Sequence, residues 1–255
     1  MEREKLDKIL ENHKLWLNDE GGERADLRNA DLRNADLYSV NLSGADLRNT
    51  DLRNTDLRNA DLYSANLRNT DLRNTDLRNT DLYGADLYSA NLRNTDLYGA
   101  DLYGADLRNA DLERADLSGA DLRNTNLNRA NLRNANLTNV KTDIYTVGYN
   151  LACPEEGSFI AYKKAGRYII KLLIMEDSKR SSATTLKCRC DKAKVLDIKE
   201  IDTGRKIGSV SSDYNVDFVY RVGEIVKIDD FDEDRWNECS SGIHFFVNKQ
   251  NAIQY

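Results

Sequence analysis

The sequence predicts a mainly β protein: a solenoid of short stacked turns, preceded by one helix and followed by a strand-rich α+β domain. Three observations carry this expectation. Leu recurs at every fifth position from Leu27 to Leu137, in 23 consecutive pentads. Residues 1–24 space their apolar positions at helical intervals instead. From Lys141 the pentad register ends, and lysine, absent from the repeats, returns. The expected division is therefore 1–24, 25–140 and 141–255.

In the first segment Leu6, Ile9, Leu10, His13 and Leu17 fall on one face of a helix, and Gly21-Gly22 is expected to end it. Such a helix is expected to cover the open edge of the first turn, because bare apolar ends and unpaired edges invite association. His13 lies on that apolar stripe, so a packed histidine is expected there, not a ligand.

Each pentad offers one large inward candidate and one small one. Two residues before each Leu stands Ala (15 times), Thr (7 times) or Val (Val40), and directly before it Asp (17) or Asn (6). Arg (12) or Tyr (6) usually follows, and then Asn, Gly or Ser in 21 pentads. A period of five suits neither a helix nor a strand. Asn and Gly tolerate the positive φ that a type II turn needs at its third position. The chain is thus expected to point inward, turn a corner and point inward again, with Leu27, Leu37, Leu57, Leu77, Leu97, Leu117 and Leu137 in the core. Buried Thr hydroxyls in that core must find a vertical neighbour or a backbone carbonyl.

The pattern A(D/N)LXX, as at 30–34, resembles the pentapeptide-repeat protein family over about 115 residues. The resemblance implies a right-handed quadrilateral β-helix with four pentads per coil. On that basis the array makes about six coils, roughly 28 Å long at strand spacing. Residues 20 apart would then stack. Arg33, Arg53, Arg73 and Arg93 form one outer column, continued by Arg133 and interrupted by Glu113, while Tyr63, Tyr83 and Tyr103 form another. These columns are a candidate docking surface. The competing expectation is a solubilising lattice of weak ion pairs, since Asp stands two residues before each of these residues except Arg93 and Arg133, where it is Asn. Some members of the family mimic duplex DNA and occupy topoisomerases. Mimicry needs a sustained negative surface, whereas residues 25–139 carry 18 acids against 14 Arg.

Residues 141–255 are expected to fold as a hairpin of Phe159–Lys164 and Tyr168–Met175, strands at Ala193–Ile201, Phe218–Ile228 and Ile243–Val247, and a short helix at Lys249–Gln254. The stretches ATTLKCR (183–189), FDEDRWNEC (231–239) and GIHFF (242–246) resemble a domain that follows pentapeptide arrays in bacterial and phage proteins. That resemblance implies no activity. Cys188, Cys190, Cys239 and His244 are the speculative metal ligands, but their spacing is irregular and buried thiols are the simpler expectation. A Cys239/His244 nucleophile pair lacks an orienting third residue. The acidic run Asp229–Asp234 has Arg235 and Ser241 where a calcium loop needs Gly and Glu, so a solvated loop is expected.

The net charge is −6, and residues 141–255 balance 18 basic against 18 acidic residues. Neither nucleic acid nor an anionic membrane is an expected partner. Residues 1–10 lack a signal-peptide pattern, and the longest apolar run, Tyr168–Met175, is interrupted by Lys171. Four Cys suit a reducing cytoplasm. The expectation is a cytoplasmic, non-enzymatic interaction protein, monomeric or homodimeric, with no catalytic residue and no cofactor. Its alternatives are a DNA-mimic inhibitor of an enzyme such as gyrase, or an enzymatic activity within 141–255.

Overall fold

The computed structural model describes residues 1–255, which divide into two compact units, Met1–Asn150 and Leu151–Tyr255.

In the first unit, helix α1 (Arg3–Leu17) lies against the start of the array. Leu6 and His13 are buried, while Ile9, Leu10 and Leu17 are half-buried. The His13 Nδ1 accepts the Ala25 backbone N–H at 3.1 Å, and its ring stacks on Trp16 at 5.3 Å. Arg3 donates to the Asp36 carbonyl at 3.4 Å and the Met1 amine to that of Asp31. These bonds satisfy first-turn backbone groups that have no earlier turn to pair with. The helix ends earlier than the glycine pair suggests: Asn18 caps it and Asp19 takes φ 56°. Gly22 serves packing, since a Cβ there would stand 2.3 Å from the Asn12 carbonyl oxygen.

The array pairs residues 20 apart in parallel, from Asp26 with Asp46 to Asp121 with Lys141, and ends with Asn126 and Val147. The Leu27 N–H donates to the Asp46 carbonyl at 2.8 Å, and the Asp46 N–H to the Ala25 carbonyl at 2.9 Å. The residue two after each Leu has positive φ in all 23 pentads, including Arg114 and Arg129, where the turn outweighs side-chain preference. Leu27, Leu37, Leu57, Leu77, Leu97 and Leu117 are each at most 2% exposed. Leu137, in the last pentad, is only half-buried and departs from the expected core. The inward threonines all solve their hydroxyl problem alike: Thr50, Thr75 and Thr95 donate to the carbonyls of Leu27, Leu52 and Leu72 at 2.8 Å.

The second unit contains three sheets. β1 (Phe159–Ala165), β2 (Tyr168–Ile174), β5 (Lys192–Glu200) and β8 (Ile225–Lys227) form an antiparallel sheet in the order β1-β2-β5-β8. β3 (Arg180–Ser182), β4 (Cys188–Cys190) and β9 (Ile243–Phe245) form the second sheet, and β6 (Ser209–Ser211) with β7 (Val219–Arg221) the third. Helix α2 (Lys249–Gln254) follows, its Asn248 side chain accepting the Gln250 and Asn251 N–H groups. The hairpin and the helix lie where the sequence places them. The single strand expected at Phe218–Ile228 is instead two short strands, because the chain turns at Val222–Glu224, with Gly223 at φ 92°. Ala161, Ala165, Ile170, Val195 and Phe245 belong to the apolar core.

Candidate functional site

Two kinds of surface could carry function: the outer columns of the array and a cleft in the second unit. The Arg column is a zipper of paired charges. Arg53 Nη2 sits 2.6 Å from the Asp51 carboxylate in its own turn, while its Nε stands 3.6 Å from Asp71 in the next. Each Asp also accepts the backbone N–H two residues on, as Asp51 does from Arg53 at 3.2 Å. One carboxylate therefore closes the turn and anchors the guanidinium. Arg33 repeats the arrangement with Asp31 and Asp51, Arg73 keeps only its own-turn partner Asp71 because Asn91 stands in the next turn, and Arg93, which follows Asn91, reaches Asp111 and Glu113. Such half-exposed pairs contribute at most about 1 kcal/mol each. Tyr63, Tyr83 and Tyr103 stack with centroids 5.3 and 5.1 Å apart, and Arg123 lies over the Tyr103 ring at 5.7 Å.

The four speculative metal ligands do not converge. In the β4–β9 register Arg189 pairs with His244, while Cys188 and Cys190 pair with Phe245 and Ile243. Alternation then puts both cysteines on the core face and His244 on the opposite one. No group of three or more His, Cys, Asp or Glu is arranged to hold a metal ion. A hydrogen bond with Cys153 and burial raise the Cys188 thiol pKa, and burial raises that of Cys190. Both therefore behave as structural thiols. Cys239 is exposed.

His244 and Cys239 both line a cleft of about 400 Å³. Lys163 of β1, Lys187 just before β4, Tyr220 of β7, Tyr214, Phe218 and Tyr255 also line it. Lys163 shares a strand face with Ala161 and Ala165, both fully buried, so an ammonium stands where the apolar face of the sheet opens. It forms no ion pair or hydrogen bond and faces the Tyr220 ring at 6.0 Å. Burial lowers its pKa and Lys187 adds to that effect, with Asp213 opposing. Lys187 is 8% exposed and donates to the Tyr255 hydroxyl at 3.2 Å, with Cys239 Sγ at 3.8 Å. Burial pushes His244 down to about 4, reinforced by Lys187, Lys163 and Arg189, and its Nε2 is buried without a partner.

Sequence reasoning passed over Lys163, Lys187 and Tyr220. The one available signal was Lys163 itself, at an inward position of an alternating strand. The acidic loop 229–234 is held from within: the buried Arg189 guanidinium donates to the carbonyls of Asp232 and Asp234, and to that of Ser241 at 3.2 Å. Its side chains are also engaged, with Ser241 donating to Asp230 at 2.7 Å and Asn237 to Asp232 at 2.8 Å.

Residues 23–139 match the family of pentapeptide repeats (8 copies) in overlapping segments, and residues 149–252 match a family of unknown function, DUF5758. No curated protein matches the chain. Among solved structures, a pentapeptide repeat protein from the Arabidopsis thaliana thylakoid lumen is 35% identical over 33% of this chain and 59% of its own, with a TM-score of 0.33. Rfr23 from the cyanobacterium Cyanothece 51142 is 26% identical over 55% of this chain and 97% of its own, at a TM-score of 0.29. HetL from Nostoc sp. strain PCC 7120, a pentapeptide repeat protein involved in heterocyst differentiation regulation, is 33% identical over 47% and 67%, at 0.24. With 23 unbroken pentads and the matched segments coinciding, this chain is a member of the pentapeptide-repeat family that carries a DUF5758 domain after its array.

Proposed function

We propose that this protein is a non-enzymatic interaction protein in which residues 25–140 form a rigid rod of about six right-handed coils and residues 141–255 provide recognition. The carrying observation is a contrast. Outward charges of the array are largely neutralised by partners in the same turn or the next, whereas the second unit keeps an unpaired ammonium, Lys163, in an open cleft. A self-paired lattice offers a partner little unspent interaction, and an unpaired, half-buried charge offers more. The same pairing weighs against DNA mimicry, which needs free carboxylates. The proposed setting is the cytoplasm, and no helix is long and apolar enough to cross a membrane.

The test compares the full chain with a form ending at Asn150, a cut that spares the last pairing, Asn126 with Val147. Immobilised full-length protein is expected to capture partners that the truncated rod does not. If the rod alone retains the same partners, recognition lies in the array and the proposal fails.

A further inference from the structure

We propose that the cleft lined by residues of β7 and β9 is a binding site for a small aromatic anion, with the phosphate or carboxylate head on Lys163 and Lys187 and the flat body against Tyr220 and Phe218. This deepens the reading of residues 141–255 as the recognition unit by naming a ligand class for that unit.

Charge comes first. Two ammonium groups and His244 line the cleft, and no Asp or Glu does. Of the carboxylates near these lysines, only Glu238 forms an ion pair, a long one with Lys187. Asp213 accepts the Gly166 N–H at 3.0 Å, and Glu238 stands 3.9 Å from Lys187 while accepting the Thr185 hydroxyl. Lys163 has no anionic partner of its own, although it occupies the apolar face of its strand beside two fully buried alanines. A charge is costly in such a place unless something compensates it, and an anion entering the cleft supplies that compensation.

Shape and polarity give the rest of the ligand. A volume of about 400 Å³ falls within the range of small-molecule sites, roughly 300–1,000 Å³. Tyr220 is 2% exposed and its hydroxyl makes no hydrogen bond within the protein, leaving a donor in the cleft lining. Phe218 meets the Tyr220 ring edge-on at 5.2 Å, which leaves aromatic surface for a third ring. Ser240, Ser241 and Asn215 add small polar groups to the lining. A headgroup without a ring would leave the aromatic wall unused, and a neutral ring would leave the Lys163 ammonium uncompensated.

Calorimetric titration of the full chain with phenyl phosphate, benzoate and the neutral benzyl alcohol tests the assignment. At least one anion is expected to bind saturably and at least about tenfold more tightly than benzyl alcohol, and the tighter anion identifies the head. Lys163→Met keeps the aliphatic stem and is expected to weaken anion binding by about tenfold or more, with Lys187→Gln acting in the same direction. As a check needing no variant, the bound anion is expected to slow alkylation of Cys239, the one exposed thiol. No saturable binding up to about 20 mM, equal binding of benzyl alcohol, unchanged affinity in folded Lys163→Met, or an unaltered Cys239 rate each overturns the proposal. Failure here leaves partner capture by the full chain intact, whereas capture by the truncated rod sinks the recognition reading without touching anion binding.

Discussion

Leu77 and Arg78 are adjacent in the chain yet occupy opposite environments: Leu77 is fully buried, while Arg78 reaches back outside the coil to Asp76 at 2.6 Å. Leu77→Arg would bury an unpaired charge among close-packed leucines, with an expected loss of about 3–5 kcal/mol and local uncoiling. Arg78→Ala is expected to stay within about 0.5 kcal/mol. Thermal unfolding of the two variants checks this, and similar melting temperatures would contradict the inside/outside assignment.

Thr75 donates to the Leu52 carbonyl at 2.8 Å from inside the coil. Thr75→Val keeps the shape and adds apolar surface but removes that bond, so stability is expected to fall by about 1 kcal/mol. A variant that melts above the parent protein would mean that the Thr ladder is mere filling.

Burial and three neighbouring cations hold His244 at about 4 in the folded state, below its ordinary value of 6.5. The unfolded chain therefore takes up the proton first as pH falls. His244 contributes stability that is fully present above about 6.5 and is lost as pH drops towards about 4. His13, lowered chiefly by burial, acts in the same direction in the first unit. Melting curves between pH 7.5 and 4.5 are expected to show a decline that His244→Gln makes shallower. An identical slope in that variant would remove His244 as a contributor.

DNA gyrase supercoiling is expected to proceed unimpeded at micromolar concentrations of this protein, because Arg partners neutralise most of the Asp columns. Potent inhibition that disappears when Asp side chains are removed would reinstate mimicry.

The array was legible in the sequence because its contacts repeat at a fixed interval. Once Asn59 or Gly84 turns the corner at positive φ, Leu62 and Leu87 have only one inward direction, and the same logic applies to every pentad. Helix α1 was legible from its apolar stripe, although its end was set by Asn18 and Asp19 and not by the glycines. The Phe218–Ile228 region was misjudged because β-prone residues on both sides of Gly223 look continuous when read in line.

By itself, then, the sequence determined which residues of the array face inward, where its turns fall and that a different unit follows, because periodicity and turn chemistry are local properties. Only the tertiary structure decided that Cys188 and Cys190 part from His244. That outcome depends on the β4–β9 register, in which a one-residue slip would exchange the two faces. It likewise decided that Lys163, Lys187, Tyr220 and His244 share one cleft. These residues come from different strands and loops, and their meeting rests on sheet pairing between distant segments, such as Tyr162 with Phe246, for which no local pattern exists.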